Sequence, residues 1–164
     1  STDMDRYVLF NYVDQTWAYG QLNRTAWLDV EEDNKIYAAS NGYVYAHESG
    51  TDADGEPMNS YIESADFDIT EGESFMFVRR IIPDIEFRGT APILDQRVDV
   101  TLLYRGANGE DHIASPFVVY AGKEGQKHVR VRGRQMALRL DNNAQGTSWR
   151  FGTLRLDVRP DGRR

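Results

Sequence analysis

Apolar and polar residues alternate with a period of two along much of this chain, and that pattern constrains its fold more than any other feature. The clearest runs are Val98, Val100 and Leu102 in one segment and Leu154, Leu156 and Val158 in another. Successive side chains of a β-strand point to opposite faces, so each run places its apolar residues on one face. The pattern predicts strands that bury one face and expose the other, and therefore an all-β fold.

Turn-forming dipeptides separate the alternating runs. Asn41-Gly42 and Asn108-Gly109 each lie between two such runs, and Asn-Gly favours a two-residue hairpin turn because both positions need positive φ. The best helical stretch, residues 24–30, is short and has no sustained apolar stripe. Many short strands with closely spaced turns predict an antiparallel β-sandwich, either a jelly roll or an immunoglobulin-like one.

The alternation changes phase at two glycines. Val131 lies at an odd position and Met136 at an even one, with Gly133 between them, and a similar change occurs at Gly152. A one-residue change of phase inside a strand is what a β-bulge produces, and glycine is common at bulges. We therefore predict bulges at Gly133 and Gly152.

A polar segment divides the chain into two parts. Residues 48–57 contain two glycines and a proline and show no apolar periodicity. The few aromatic strand candidates before this segment are too few for an independent domain. We predict a propeller-blade-like β-hairpin segment over residues 1–60 and a β-sandwich domain over residues 61–164. The chain begins with Ser, so we expect a processed protein or a piece of a longer one.

The composition excludes several classes of protein. The 164 residues include no cysteine, which excludes a disulfide scaffold, a thiolate zinc site and a cysteine nucleophile. No apolar run is long enough to form a transmembrane helix. A hydrophobic content of 40%, with seven Phe, nine Tyr and three Trp, supports a packed core rather than disorder.

Residues with catalytic potential show no arrangement typical of an enzyme. The three histidines, His47, His112 and His128, have no partner at a metal-binding spacing. The motifs of a serine nucleophile elbow and of phosphate-binding loops do not occur. We therefore expect a structural or binding role that needs no cofactor, and we do not expect an enzyme.

One acidic segment partly matches a calcium-binding loop. Asp52, Asp54 and Glu56 fall at its first, third and fifth positions, and Glu63 falls at its twelfth. Pro57, however, stands where the loop needs a glycine for its sharp turn. An ordinary acidic turn is the favoured interpretation, and calcium binding is the alternative.

Two other function classes stay open on the residues alone. A carbohydrate-binding sandwich that contacts a host surface would use exposed aromatic rings as stacking platforms. The candidate rings are Tyr43, Tyr45, Tyr61 and Trp17. A hydrolase would need two converging carboxylates, for which the candidate pairs are Asp66 with Asp68 and Glu71 with Glu73.

Charge is distributed unevenly along the chain. The net charge is −7, but residues 1–75 carry sixteen acidic and three basic side chains, whereas residues 76–164 carry ten acidic and sixteen basic ones. Such asymmetry indicates contact with another charged surface, or attraction between the two halves. The negative total makes general binding to DNA unfavourable.

Arginines recur along the basic half with strand spacing. The predicted contact set is Arg130, Arg132, Arg134, Arg150 and Arg155. Guanidinium groups form bidentate pairs with carboxylates and phosphates, so this set is predicted to meet an acidic surface on a neighbouring subunit. A solvated outer face and a contact with DNA are the alternatives. A bulge at Gly133 would turn Arg134 away from Arg130 and Arg132.

Five stretches, three near the beginning and two near the end, carry a family resemblance, and Pro83-Asp84 with the preceding Arg79-Arg80 also fits it. The first three are YVLFNY at residues 7–12, WAYGQLNRTAW at residues 17–27 and GYVYAHESG at residues 42–50. The last two are VRGRQM at residues 131–136 and WRFGTLRLDVRPDGRR at residues 149–164. Together they resemble the C-terminal region of tail nozzle or tail tubular proteins of short-tailed bacteriophages.

This resemblance implies a non-enzymatic virion protein of the phage tail, made in the cytoplasm of the bacterial host. Members of that family form rings, commonly sixfold, around the channel through which the genome leaves. The resemblance therefore implies a homo-oligomer, other tail proteins as partners, and transient contact with DNA in the channel. It also implies that Arg132, Arg134 and Arg150 hold structural positions at a sheet or subunit contact.

Overall fold

The computed structural model describes residues 5–30, 35–106, 110–123 and 125–162. The chain forms two compact units, Ser1–Ser49 and Gly50–Arg164. The division lies inside the polar segment at residues 48–57, so residues 50–60 belong to the second unit rather than the first. The predicted turn at Asn108-Gly109 lies outside the described residues.

The first unit consists of short antiparallel strands. Its strands are β1 (Arg6–Asn11), β2 (Thr16–Gln21), β3 (Ala26–Val30), β4 (Lys35–Ser40) and β5 (Tyr43–His47). β1 pairs with β2, and the other three form a sheet in the order β3-β4-β5. The predicted hairpin at Asn41-Gly42 is confirmed, with φ angles of 50° and 81° at the two turn residues. Residues 24–30, the best helical stretch in the sequence, lie mostly in β3.

The second unit contains two main antiparallel sheets. The order in the larger sheet is β12-β11-β14-β8 and in the smaller one β13-β9-β16. Their strands are β8 (Ser60–Glu63), β9 (Met76–Ile82), β11 (Arg97–Arg105), β12 (Ile113–Tyr120), β13 (Lys127–Gly133), β14 (Gln135–Asn142) and β16 (Arg155–Pro160). The shorter elements are β6 (Asp52–Ala53), β7 (Glu56–Pro57), a 3-10 turn (Thr70–Gly72), β10 (Ile85–Phe87) and β15 (Trp149–Phe151). β6 pairs with β7, and β10 pairs with β15.

The core of the second unit is built from residues of both sheets. It comprises Met76, Val78, Ile81, Val98, Val100, Leu102, Phe117, Val131, Met136, Leu138 and Leu140. Each of these side chains is at most 9% exposed, and full burial of a large aliphatic side chain stabilises a fold by about 1.5–3 kcal/mol. The apolar positions of β11 that alternation identified are all in this core. The predicted all-β fold with an antiparallel β-sandwich is therefore confirmed.

The order of the strands is that of a jelly roll. β11 and β12 form a hairpin within one sheet, whereas each other connection between the main strands crosses to the opposite sheet. Such alternation between two packed sheets is the connectivity of a jelly roll. β8, at the edge of the larger sheet, pairs with β14, and β16, at the edge of the smaller one, pairs with β9.

The phase change at Gly133 has another cause than the predicted bulge. β13 ends at Gly133 in the smaller sheet, and β14 begins at Gln135 in the larger one. A crossing between sheets reverses the buried face just as a bulge does. The packing at Gly133 is close, because a β-carbon there would lie 3.1 Å from the carbonyl oxygen of Arg105.

The phase change at Gly152 marks a bend between two strand pairs. The chain leaves β15, which pairs with β10, and enters β16, which pairs with β9. The amide of Gly152 donates a hydrogen bond to the carbonyl oxygen of Asp84 at 2.9 Å. A β-carbon at Gly152 would lie 2.6 Å from Oδ2 of Asp84, so a side chain at this position would displace the Asp84 carboxylate.

None of the described residues form a helix long and apolar enough to span a membrane.

Candidate functional site

Arginine side chains are concentrated on the outer surface of the β13-β9-β16 sheet. We term this surface the arginine face and define it by Arg79, Arg80, Arg130, Arg132, Arg155 and Arg159. Five of these side chains are exposed, and Arg80 is half-buried. The residues that face the other way, such as Val78 and Val131, are in the core. Alternation thus places charge outside and aliphatic side chains inside.

Phe77 lies on the arginine face, near the start of its central strand β9. Arg132 of β13 and Arg159 of β16 are both directly opposite Phe77 of β9 in the sheet register. Directly opposed residues lie on the same face with their β-carbons about 4.5–5.5 Å apart. A half-buried aromatic ring is therefore flanked by two arginine positions.

Strand β9 carries an irregularity at Arg79 and Arg80. Its pairing shifts register against both neighbouring strands beside these residues. Val78 and Ile81 are both fully buried although they are three positions apart, so strict alternation fails between them. A bulge of this kind brings two successive side chains to the outer side of the sheet. The arginine face therefore has a denser positive charge than regular alternation would give.

Two of the six arginines have acidic partners within the chain. Nε of Arg132 donates to Oδ2 of Asp161 at 2.5 Å, and Arg80 lies 3.8 Å from the carboxylate of Asp157. Exposed pairs of this kind contribute at most about 1 kcal/mol. Among the described residues, the other four have no ion-pair partner: Arg79, Arg130, Arg155 and Arg159. Their charges are available to a partner molecule.

An open cavity of about 610 Å³ lies on the arginine face between β9 and β13. Phe77, Arg79, His128, Val129 and Arg130 line it. Two guanidinium groups and an imidazole thus surround an aromatic and an aliphatic side chain. Such a surface can bind carboxylates through the arginines and accommodate apolar groups beside them.

Arg134 lies at the crossing between the two sheets. Its amide donates to the carbonyl oxygen of Arg105 at 2.8 Å, and its guanidinium carbon lies 4.9 Å from the centre of the Phe75 ring. The guanidinium carbon of Arg132 lies 3.8 Å from the same ring centre. Two predicted arginines therefore meet on one aromatic side chain, an arrangement in which the cations are attracted to the ring face.

Arg150 is separate from the arginine face. It belongs to β15 and lies opposite Glu86 of β10. The Glu86 carboxylate also accepts two hydrogen bonds from Arg88, at 3.0 and 3.1 Å. The structure thus brings three of the five predicted arginines, Arg130, Arg132 and Arg155, to one sheet face.

Several acidic residues are already engaged by arginines on the larger sheet. Arg139 donates to Asp141 at 2.7 Å and to Glu63 at 2.9 Å, and these hydrogen bonds, the one from Asp141 first, raise its pKa above the usual range. The guanidinium group also lies over the ring of Tyr61, 4.7 Å from the ring centre. Glu63 and Tyr61, two candidates for other functions, are therefore part of a structural network that ties β8 to β14.

Asp66 is held between a guanidinium and an imidazole. Arg105 forms a short ion pair with one carboxylate oxygen, and Nε2 of His112 lies 2.7 Å from the other. Asp68 is exposed nearby in the sequence and has no part in these contacts. The candidate catalytic pair Asp66 with Asp68 therefore has its first member engaged in a structural contact.

The candidate calcium loop forms a tight β-hairpin. β6 and β7 are joined by Asp54-Gly55, with φ angles of 57° and 78°, and the carboxylate of Asp52 accepts a hydrogen bond from the amide of Gly146 at 2.6 Å. Glu63 binds Arg139 instead of approaching this turn. Within the described ranges, no group of three or more histidine, aspartate or glutamate side chains is placed to hold a metal.

The aromatic candidates for carbohydrate binding lie on three different sheets. Trp17 of β2 contacts Phe10 of β1, with ring centres 4.6 Å apart. Tyr43 and Tyr45 share a face of β5, with ring centres 6.4 Å apart. Tyr61 belongs to β8 in the second unit. The four rings therefore form no single row, and Tyr43 and Tyr45 are the pair that shares a sheet face.

We did not predict from the sequence that Phe77 and Arg79 lie on the same sheet face as Arg130 and Arg132. The signal was present, because Arg79 and Arg80 interrupt the alternation between Val78 and Ile81. A doubled charge inside an apolar-polar alternation is the sequence pattern of a bulged strand. The neighbours of β9 across the sheet, however, come from distant parts of the sequence and give no local signal.

Comparison with known proteins adds no family assignment: the chain matches no protein-family model, and no curated protein matches it at a significant level. The resemblance to phage tail proteins therefore stays a prediction.

Proposed function

We propose that this chain is a structural component of a bacteriophage tail, in the nozzle or tail-tube ring around the DNA exit channel, and that it acts by assembly rather than catalysis. The five stretches that resemble tail nozzle and tail tubular proteins support the assignment to a phage tail. The exposed apolar surface of the first unit supports action by assembly. In this proposal the protein is made in the host cytoplasm and resides in the tail of the virion.

The observation that carries the proposal is an uncovered apolar face on the β1-β2 hairpin. Val8 is opposite Tyr19, and Phe10 is opposite Trp17, so the four side chains lie on one face. They are 72%, 88%, 46% and 71% exposed, respectively. Aromatic side chains of this size carry roughly 200 Å² each, so this face exposes on the order of 400 Å² of apolar surface.

A face of that size on only two strands favours association. The largest apolar patch on a typical monomer is about 300–600 Å² and is often functional. The remainder of the first unit exposes further apolar residues, among them Trp27, Leu28 and Val44. Covering these side chains with a neighbouring copy would remove them from water, which is the main favourable contribution to subunit association.

The proposed partners are further copies of this chain in a ring, together with other tail proteins. An oligomer in which one surface meets a different surface of the next copy closes into a ring when the rotation permits. The basic residues of the second unit would contact DNA transiently inside the channel. The net charge of −7 suits such transient contact better than tight binding to DNA.

The test is the mass in solution, measured by light scattering over a range of protein and salt concentrations, followed by electron microscopy of any assembly. The wild-type chain is expected to exceed its 18.8 kDa monomer mass and to form closed rings with a central opening. The double variant Trp17→Ser with Tyr19→Ser should assemble less. The matched control, Tyr12→Ser with Val13→Ser, removes exposed apolar side chains from the hairpin turn and should assemble as the wild type does.

A monomer under every condition would contradict self-assembly. It would raise the alternative of a carbohydrate-binding module, for which the exposed ring of Tyr43 beside Tyr45 is the favourable observation. A glycan array with Tyr43→Ala as the comparison would then test that alternative. Equal masses for the Trp17 and Tyr12 double variants would show that assembly does not use the β1-β2 face.

A further inference from the structure

We infer that the arginine face of one copy binds the acidic β6-β7 hairpin of a second copy, so that the chains associate head to tail. This inference rests on the proposed function and specifies a second contact between the copies, in addition to the one through the β1-β2 face. It starts from the observation that the chain holds accessible positive charge on one surface and accessible negative charge on another.

The accessible positive charge is concentrated beside the cavity between β9 and β13. Arg79 and Arg130 line this cavity with Phe77, both arginines are exposed, and neither has an acidic partner among the residues that the structure describes. A guanidinium group is weakly hydrated and offers five donors in a planar arrangement that matches a carboxylate. The site thus has the charge, geometry and access to bind an acidic peptide segment.

The complementary negative charge lies in one continuous part of the sequence. Residues 36–78 contain nine acidic side chains and no lysine or arginine. Glu63 and Asp66 are already engaged by Arg139 and Arg105. Asp54 and Glu56 in the β6-β7 hairpin are exposed and have no ion pair in the described parts of the chain.

The hairpin holds these two carboxylates in a defined position. The carboxylate of Asp52 accepts from the amide of Gly146, and the side-chain amide of Gln145 donates to the carbonyl oxygen of Gly55. The turn at Asp54-Gly55 is tight, with both φ angles positive. A segment held in this way loses little conformational freedom when it binds, which favours association.

The two surfaces belong to different parts of the sandwich, so one copy can use both at once. The hairpin is fixed to residues that follow β14 of the larger sheet, whereas the arginine face is the outer side of the smaller sheet. A contact between two different surfaces is heterologous, and repetition of such a contact gives a ring or a filament. The inferred contact is therefore of the kind that the proposed tail ring requires.

An acidic protein segment fits the arginine face better than nucleic acid does. At a net charge of −7 the whole chain repels a polyanion, and only local attraction would oppose that repulsion. Two copies, each of net charge −7, also repel each other. At physiological ionic strength, however, salt screens the interaction between charges that lie more than about 8 Å apart. The arginine–carboxylate pairs at the contact are closer than this and still attract each other.

The test is a charge exchange between two double variants of the full chain, measured by sedimentation velocity at physiological ionic strength. The face variant carries Arg79→Glu with Arg130→Glu, and the hairpin variant carries Asp54→Lys with Glu56→Lys. Each variant alone places like charges opposite each other and should assemble about tenfold more weakly than the wild type. An equimolar mixture restores an opposite-charge contact at both interfaces, so it should assemble nearly as well as the wild type.

A matched control separates the local contact from the overall charge. Arg97→Glu with Lys123→Glu changes the net charge by the same amount as the face variant, at exposed positions outside the arginine face. This control should assemble nearly as the wild type does. Raising the salt concentration should weaken wild-type assembly and the mixed assembly alike.

Three results would overturn the inference. Assembly of both double variants at wild-type strength would leave the proposed function standing but exclude this contact. Failure of the mixture to recover assembly would show that the substitutions act in another way. Strong binding of a single- or double-stranded DNA oligonucleotide at physiological salt, lost in the face variant, would assign the arginine face to nucleic acid instead.

Discussion

Nε of Arg24 donates a hydrogen bond to Nε2 of His47 across 3.1 Å. Because Nε2 must accept this hydrogen bond, the imidazole is neutral and carries its proton on Nδ1. The same guanidinium lies over the ring of Tyr45, 4.2 Å from the ring centre, and the His47 ring lies 4.8 Å from that of Trp27. Arg24 therefore holds His47 and Tyr45 of β5, and His47 in turn contacts Trp27 of β3.

The pKa of His47 is expected to lie below its ordinary value of 6.5, because burial disfavours the charged imidazolium and the Arg24 charge adds repulsion. Neutral His47 therefore contributes stability that is complete above about pH 6.5 and is lost as the pH falls through the lower pKa of the folded chain. An NMR titration of the His47 ring protons measures this pKa directly. Arg24→Ala should raise the pKa, whereas Glu48→Gln should lower it further, because the Glu48 charge raises it. Equal shifts in both variants would contradict this account.

Leu102 and Leu94 provide a comparison of core and surface. Leu102 of β11 is fully buried between the sheets, whereas Leu94 is 70% exposed. Leu102→Ala should lower the free energy of unfolding by about 2–5 kcal/mol because it leaves a cavity among Val100, Leu138 and their neighbours. Leu94→Ala should change it by less than about 0.5 kcal/mol. Urea denaturation followed by tryptophan fluorescence measures both values, and similar losses would show that the core is elsewhere.

Gly89 lies where no side chain fits. A β-carbon there would lie 2.1 Å from the carbonyl oxygen of Gly146, and the Gly89 amide donates to Oε1 of the buried Gln96 at 3.1 Å. Gly89→Ala should therefore destabilise the second unit by about 3 kcal/mol, since backbone must move. Gly125→Ala is the control, because nothing lies within 4 Å of its β-carbon position. Thermal unfolding compares the two, and an unchanged midpoint for Gly89→Ala would contradict the close approach.

Arg134 and Arg130 differ in what their side chains contact. Arg134 is half-buried and lies over Phe75, whereas Arg130 is exposed on the arginine face. Arg134→Ala should reduce stability by about 1–2 kcal/mol through loss of the cation–π contact and of packing at the sheet crossing. Arg130→Ala should leave stability unchanged while it weakens assembly. Comparable melting temperatures for the two variants would contradict a structural role for Arg134.

Local features of the sequence predicted the parts of the fold that depend on local chemistry. The Asn41-Gly42 hairpin follows from two residues that tolerate positive φ, and the inward positions of β11 follow from alternation alone. The phase change at Gly133 was open to two explanations, because a bulge and a crossing between sheets both reverse the buried face. Choosing between them requires the strand partners, which come from distant residues.

In the candidate site too, some features follow from the local sequence and others depend on strands that are distant in sequence. Exposure of Arg130 and Arg132 on one strand face followed from the spacing, but their grouping with Arg79 and Arg159 depends on the order β13-β9-β16. The engagement of Glu63 by Arg139 joins residues 76 positions apart. No local pattern in the sequence shows which acidic side chains are already paired and which are free to meet a partner.

The alternation of successive strands between the sheets also sets the order in which this chain can fold. Since β9 pairs with β16 and β8 with β14, most strand pairings in the second unit are non-local, a topology for which folding takes milliseconds to seconds. During synthesis β9 must wait until Pro160 has been made before its second neighbour is present, and in that interval its edge can pair with other chains. A lower expression level, which reduces the concentration of incomplete chains, should therefore reduce aggregation of the second unit. The β3-β4-β5 strands, whose partners are adjacent in sequence, can pair as soon as they are made.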